Sequence, residues 1–184
     1  MEKITDIAHL IIKDHLKDVF NPTIIDATCG NGHDTLFLVQ NFKGNIHAYD
    51  IQEIAINNTK ELTKGFDVTF HLASYEEIDQ SSIDLVLFNL GYLPNGNKEI
   101  TTKASTTLNI VKKLVDSFID NPNMLILLIV YPLHEEGGRE SQILDEYTSN
   151  LDKSQYDVLK IIPFNKIKSP YILTIRYNKN TISL

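Results

Sequence analysis

The chain has 184 residues, 42% of them apolar, and a net charge of −7 from 17 basic and 24 acidic side chains. This length favours one domain with a substantial core, which we expect to span 1–184. The single cysteine, Cys29, excludes an intramolecular disulfide and a cysteine-built metal cluster, and no apolar run is long enough to cross a bilayer. The charged, amphipathic start "MEKITDIAHL" is unlike a signal peptide, so we expect a cytoplasmic protein with no metal site and no membrane partner.

The charge is unevenly distributed along the chain. Residues 1–150 carry 11 basic and 22 acidic side chains, a balance of −11, whereas residues 151–184 carry six basic and two acidic ones, a balance of +4. A basic segment on an acidic body is typical of a protein with an anionic partner. Solvated surface lysines give the same composition, so the asymmetry by itself leaves both interpretations open.

Strands and helices alternate through the chain. Apolar spacing predicts a helix within 1–20, packed on the domain and ended by Pro22. Strands are predicted at 23–28, 45–50, 67–72, 83–90 and 124–131, with helices at 33–42, 52–64, 104–118 and 140–151 and a short helical turn at "YEEI" (75–78). The last two strands, "DVLKIIPF" (157–164) and "YILTIRY" (171–177), are joined by six residues only. Such a short connection favours antiparallel pairing, so we expect a Rossmann-like α/β fold with a seven-stranded, mostly parallel sheet and helices on both faces.

The turn after the first strand, within "IIDATCGNGHDTLFL", is the first candidate ligand site. Gly30 and Gly32 permit a sharp turn and a close approach of the backbone to a ligand. A dinucleotide fingerprint would need a third glycine where Thr35 stands. Asp26 and Asp34 on either side would repel a pyrophosphate, and they suit the amino group and sulfonium of S-adenosylmethionine.

An acid at the end of the next strand supports a nucleoside ligand. Asp50 lies about 20 residues after the glycines, where a carboxylate accepts hydrogen bonds from ribose hydroxyls. Alternatively, Asp26 organises its loop and Asp50 caps the following helix. Ile51 would cover the adenine, with Ser74 and Tyr75 beside it. The full predicted set for the methyl donor is Asp26, Gly30, Asn31, Gly32, Asp34, Thr35, Asp50, Ile51, Gln52, Ser74, Tyr75 and Asn89.

The fourth and fifth strands end in segments suited to an acceptor. The fourth ends "FNLGYLPNGNKEITT", where Asn89 opens onto the predicted ligand side and a rigid loop follows around Tyr92. The fifth ends "VYPLHEEGGRE", which brings Tyr131 and His134 to the same edge. Loops rich in Asn, Gly and Pro are common, and a lone histidine is usually structural, so neither segment is specific alone.

Together these segments resemble the MnmM methyltransferases, also known as YtqB-type rRNA methylases. "DATCGNGHDTLFL", "YDIQ", "FNLGYLPNGNKEITT" and "YPLHEEGGRE" carry the likeness, which spans nearly the whole chain. The chain departs from the usual family pattern at Tyr75, Asn97 and Leu133. The resemblance implies a class I methyltransferase fold and a homodimer. It also implies methylation of 5-aminomethyl-2-thiouridine at the wobble position of tRNA, within the anticodon stem-loop, giving 5-methylaminomethyl-2-thiouridine.

On this hypothesis the catalytic residues are Asn89, Tyr92 and His134. The predicted substrate-binding residues are Leu90, Gly91, Tyr92, Leu93, Lys98, Tyr131, His134 and Arg139. Other functions fit the same pattern: methylation of rRNA or of a small amine, a nicotinamide-dependent oxidoreductase, or a non-catalytic RNA-binding module that retains a relic donor pocket.

Overall fold

The computed structural model describes residues 3–75, 82–91, 104–132 and 135–178. The helices are α1 (Ile4–Leu16), α2 (His33–Asn41), α3 (Glu53–Leu62), α4 (Ala104–Asp116) and α5 (Glu135–Ser149), and a 3₁₀ turn (Ser117–Ile119) follows α4. The strands are β1 (Thr23–Asp26), β2 (Asn45–Asp50), β3 (Thr69–Leu72), β4 (Leu85–Leu90), β5 (Leu125–Val130), β6 (Tyr156–Ile161) and β7 (Tyr171–Tyr177). Within these residues no helix is long and apolar enough to cross a membrane.

The seven strands form one sheet in the order β3-β2-β1-β4-β5-β7-β6. Neighbouring strands from β3 to β5 pair in parallel, and β7 is antiparallel to both β5 and β6. This confirms the predicted mostly parallel sheet and the antiparallel return at its end. The strand order reverses between β1 and β4, so the carboxyl ends of these two strands lie side by side where open α/β sheets bind ligands.

Apolar side chains alternate between the two faces of the sheet. In β5, Ile126 and Leu128 join the cluster under α4 and α5, while Leu125 and Leu127 join the cluster under α1 and α2. All six side chains of β5 are buried. A strand buried on both faces needs a continuous apolar run, which explains why this segment is the most apolar of the chain. On the second face α1 packs against β5 and β7.

Several predicted boundaries were wrong. Helix α5 begins at Glu135 rather than at 140, and it therefore includes Gly137 and Gly138. A Cβ at Gly137 would lie 2.3 Å from the carbonyl oxygen of Tyr131, so close packing explains a glycine that helix propensity disfavours. Three strands are shorter at one end than predicted: the first ends at Asp26, the third begins at Thr69 and the sixth ends at Ile161. Most of the predicted turn at "YEEI" lies outside the described residues.

Candidate active site

The glycine turn between β1 and α2 is tightly packed on α3. Gly30 and Gly32 both adopt positive φ, at 53° and 82°. The Gly32 amide donates to the carbonyl of Cys29 at 2.8 Å, and a Cβ at Gly32 would lie 2.8 Å from the Cα of Thr59. A side chain at position 32 would thus be strained by its φ and would collide with the α3 backbone. The turn therefore places its backbone at the carboxyl end of β1 with little freedom to move.

Asp26 lies beneath this turn rather than in the open crevice. Its side chain is completely buried, and it accepts hydrogen bonds from the Thr35 hydroxyl at 2.6 Å and from the Thr28 amide at 3.3 Å. Burial raises the pKa of Asp26 to about 7, and the nearby Asp34 carboxylate adds to this rise. Asp26 and Thr35 are thus joined to each other, and together they tie the end of β1 to the first turn of α2.

Asp34 forms hydrogen bonds to side chains on two other elements, α1 and β4. One carboxylate oxygen lies 2.7 Å from Nε2 of His9 on α1, and the other accepts from the side-chain amide of Asn89 at 2.8 Å. The sequence suggested Asp34 and Asn89 as separate ligand contacts, and the structure joins them. His9 was not predicted, because it lies within the apolar pattern of a helix that is distant in sequence.

Asp50 bonds the turn that follows β1 and the turn that follows β2. Its carboxylate accepts from the Gly30 amide at 3.1 Å and from the Gln52 amide at 2.9 Å. Burial raises the pKa of Asp50, and these backbone hydrogen bonds oppose that rise. Ile51 is 41% exposed beside it, and Asn31 accepts a hydrogen bond from the Asn58 side chain at 3.0 Å. An apolar side chain and a carboxylate therefore stand together at the end of β2.

Tyr75 points into the core instead of along the crevice. Its ring packs edge-on against Phe88 and is 4% exposed. Its hydroxyl lies 2.8 Å from the Thr107 hydroxyl, which in turn donates to Glu140 at 2.5 Å. The expectation that the Tyr75 ring lies beside an adenine does not fit this placement, because the ring is enclosed by α4 and the sheet. Ser74, which is half-buried, remains at the crevice edge.

The end of β4 is fixed by a threonine from the neighbouring strand end. Thr28 accepts from the Asn89 amide at 2.8 Å and donates to the Asn89 carbonyl at 3.2 Å. A Cβ at Gly91 would lie 3.4 Å from the ring of Tyr131, so the end of β4 runs against the half-buried Tyr131. Thr28 was not predicted as a site residue, although its position two residues after Asp26 was available in the sequence.

The remaining predicted residues divide into two groups. Arg139 is exposed on the second turn of α5. Tyr92, Leu93, Lys98 and His134 lie outside the described residues.

The described carboxylates give the crevice a negative potential. Burial is the largest cause of the raised pKa of both Asp26 and Tyr131. Asp34 adds to both rises, and Asp50 adds to that of Asp26. The part of these pKa shifts that comes from Asp34 and Asp50 reflects repulsion of a further negative charge. A pyrophosphate would meet the same repulsion, whereas a sulfonium or ammonium group would be stabilised. The residues present therefore fit a cationic nucleoside better than a dinucleotide.

The fold and this site define a Rossmann-like class I methyltransferase. The family model described as "Putative rRNA methylase" matches residues 46–176. The chain is also 31% identical over 198 residues to an Arabidopsis thaliana protein named "tRNA (mnm(5)s(2)U34)-methyltransferase, chloroplastic", covering 97% of this chain and 71% of that one. The chain therefore belongs to this family, the MnmM or YtqB-type methyltransferases.

Solved structures with similar sequences share the whole architecture. A "putative rRNA-methylase" from Clostridium thermocellum is 27% identical and superposes with a TM-score of 0.80, covering 97% of this chain and 99% of that one. A "putative methyltransferase" from Streptococcus mutans, solved in complex with S-adenosylhomocysteine, is 26% identical with a TM-score of 0.79 and the same coverage. The likeness thus extends from α1 to β7.

Proposed function

We propose that this enzyme methylates the aminomethyl nitrogen of 5-aminomethyl-2-thiouridine at wobble position 34 of tRNA, with S-adenosylmethionine as the methyl donor. The product is 5-methylaminomethyl-2-thiouridine. The observation that carries this proposal is the Asn89 side chain, held at the carboxyl end of β4 by Asp34 within a negative crevice. The name of the Arabidopsis relative and the S-adenosylhomocysteine in the Streptococcus structure support the acceptor and the donor.

The donor-binding residues come from the carboxyl ends of three strands. Gly30 and Gly32 supply the tight turn at the carboxyl end of β1, Asp50 supplies oxygens for the ribose hydroxyls, and Ile51 supplies apolar cover for the base. Asp26 acts from beneath the turn, through its negative charge and its bond to Thr35. When bound, the donor supplies an electrophilic methyl group on a positively charged sulfur.

The acceptor must be a neutral amine positioned by the end of β4. A lysine-like amine has a pKa of about 10.4, so keeping it neutral at pH 7 costs about 4–5 kcal/mol. A nearby cation and a dry pocket both lower that cost. The side-chain oxygen of Asn89 and the carbonyl of Leu90 accept the two N–H bonds of the amine and direct its lone pair at the methyl group of the donor. We assign Tyr92, which lies outside the described residues, the role of stacking on the uracil.

The departing proton needs an acceptor, and the two candidates differ. The pKa of Tyr131 is raised by burial and by Asp34, so this phenol stays protonated at neutral pH and serves as a hydrogen-bond donor. His134 is therefore the better candidate for the relay. A His134→Ala variant should lose turnover mainly above about pH 6.5, the ordinary imidazole pKa, and approach wild type below it, because a protonated imidazole cannot accept the departing proton. Tyr131→Phe should retain most of the turnover at every pH.

The tRNA would be bound by basic side chains at the same edge of the sheet. Strand β6 runs parallel to β5, because both are antiparallel to β7, so the β6–β7 connection lies at the carboxyl edge where the crevice opens. This connection carries Lys166 and Lys168, both exposed. Arg139, Lys98 and Lys103 are the other candidate phosphate contacts. A single-stranded wobble base is presented at little cost, because no duplex must be opened.

The decisive experiment is mass spectrometry of tRNA nucleosides after incubation with enzyme and S-adenosylmethionine. The tRNA should come from a strain lacking this protein, so that 5-aminomethyl-2-thiouridine is present. Conversion to the methylaminomethyl form is expected, and it should be lost in Asn89→Ala while donor affinity is kept. Methylation of rRNA or of a free amine in place of tRNA would contradict the proposal. So would tRNA affinity that does not change between low and moderate salt.

The cytoplasmic location and the homodimer expected from the sequence stay predictions. Gel filtration with light scattering tests the second of these directly.

A further inference from the structure

A chain of hydrogen bonds runs from α1 into the crevice. His9 Nε2 lies 2.7 Å from one oxygen of Asp34, and the other oxygen accepts from the Asn89 side-chain nitrogen at 2.8 Å. The three residues come from α1, the first turn of α2 and the end of β4. Asp34 is largely buried, so its charge depends on these two neighbours for compensation.

The imidazole of His9 is held in one orientation. Its ring stacks on Phe37 with centroids 3.6 Å apart and planes 2° apart. Its side chain is only 22% exposed. An ionised carboxylate accepts hydrogen bonds and cannot donate them, so Nε2 carries the proton in the contact with Asp34. His9 therefore fixes Asp34 from the side opposite to Asn89.

The orientation of the Asn89 amide follows from the same rule. Its nitrogen must be the atom that faces Asp34, because only the nitrogen can donate. The Asn89 backbone is fixed independently by its two hydrogen bonds to Thr28. With the backbone held and the nitrogen bonded to Asp34, the amide oxygen is the atom left to accept a hydrogen bond from a substrate.

We infer that His9 is a positioning residue, which acts through Asp34 to keep the side-chain oxygen of Asn89 directed at the acceptor amine. This inference rests on the proposed function, since it takes the acceptor to be an amine. Without His9, Asp34 keeps only its bond to Asn89 and gains freedom to rotate. The amide then turns with it, and an amide nitrogen directed at the substrate would repel an N–H group instead of accepting its hydrogen bond.

Two substitutions at position 9 separate positioning from packing. His9→Leu keeps an apolar contact with Phe37 and removes the donor, whereas His9→Gln restores a side-chain N–H. We expect His9→Leu to lower kcat roughly 10- to 100-fold with undermethylated tRNA, because misplacement of a reacting group has costs of this order. His9→Gln should recover most of that loss. His15→Gln is the matched control, since His15 lies on the same helix and bonds the backbone of Asp84 away from the crevice.

Calorimetry with S-adenosylhomocysteine and thermal unfolding distinguish this role from a structural one. Product affinity and unfolding midpoint of His9→Leu should match those of the His15 control. If the loss of kcat comes with equal losses of product affinity and stability, and glutamine does not rescue it, His9 is only a packing residue and the inference is overturned. A kcat of His9→Leu equal to wild type also overturns it.

An NMR measurement needs no acceptor and so separates this inference from the proposed function. The side-chain amide signals of Asn89, assigned by their loss in Asn89→Ala, should include a proton shifted downfield by the Asp34 carboxylate. In His9→Leu that proton should move upfield. Unchanged amide signals would overturn the inference. If the wild-type enzyme methylates no tRNA, the proposed function fails, and the amide signals alone decide the role of His9.

Discussion

The buried carboxyl of Asp26 makes the stability of the fold depend on pH. Its pKa is raised from 3.8 to about 7 in the folded protein, first by burial and then by Asp34. The folded state thus holds this proton more tightly than the unfolded chain does. The stabilising contribution is fully present below about pH 4, and it is lost as the pH rises through about 7. A difference of about three pH units corresponds to about 4 kcal/mol, of which roughly 3 kcal/mol falls between pH 5 and pH 8.

Asp26→Asn removes the titration but keeps an oxygen for the Thr35 hydroxyl. The amide has one acceptor oxygen instead of two, so loss of the Thr28 contact costs about 1 kcal/mol at every pH. We therefore expect the stability of the variant relative to wild type to increase by about 3 kcal/mol between pH 5 and pH 8, and the variant to be the more stable protein at pH 8.

Urea unfolding followed by tyrosine fluorescence measures this difference, since the chain has eight tyrosines and no tryptophan. Asp67→Asn, an exposed carboxyl between α3 and β3, controls for the loss of one negative charge. Parallel stability curves for wild type and Asp26→Asn from pH 5 to pH 8 would show that burial does not raise the pKa of Asp26, and the electrostatic argument for the crevice would lose its strongest support.

Three further substitutions test other parts of the site. Gly32→Ala should destabilise the fold by more than Gly65→Ala, as measured by thermal unfolding. Both glycines have positive φ, which strains an alanine by about 1–2 kcal/mol, but only at position 32 would the new Cβ also collide with neighbouring backbone. Tyr75→Phe should cost about 1 kcal/mol of stability and leave S-adenosylhomocysteine affinity unchanged by calorimetry; a weaker affinity would place the Tyr75 hydroxyl at the ligand. Asp50→Ala should weaken S-adenosylmethionine binding by roughly tenfold or more, and unchanged affinity would remove Asp50 from the ribose.

The local apolar pattern was sufficient to predict most strands of the sheet. The strand Tyr171–Tyr177 was predicted with its correct ends, because a short, mostly apolar run between a proline and polar residues admits few alternatives. The short connection before it was enough to predict an antiparallel return. The start of α5 was missed, because two glycines and a charged segment conceal the helix. Of these glycines, Gly137 is required by close contact with the carbonyl of Tyr131.

Contacts between residues that are distant in sequence could not be predicted from the apolar pattern. His9 and Asp34 are 25 residues apart and meet only because α1 folds back over the sheet beside α2. Tyr75 likewise bonds Thr107, 32 residues away on α4. A single sequence offers no signal for such pairs, since a polar residue in an amphipathic helix is consistent with exposure as well as with a buried partner.

The acids of the crevice also explain why the glycine turn suits one ligand class. The helix that begins behind the glycine turn has an N-terminus whose partial positive charge favours anions. Here Asp26 lies under the turn, Asp34 follows it and Asp50 bonds it from the side. The pKa of Asp26 is raised first by burial, and repulsion from Asp34 and Asp50 adds to this rise. These carboxylates oppose the anion preference of the helix start. Because a bound cation would relieve their repulsion, the same charges that weaken the fold at neutral pH strengthen binding of a sulfonium nucleoside. The electrostatic cost that these carboxylates add to folding near β1 is therefore reduced when the cationic methyl donor binds.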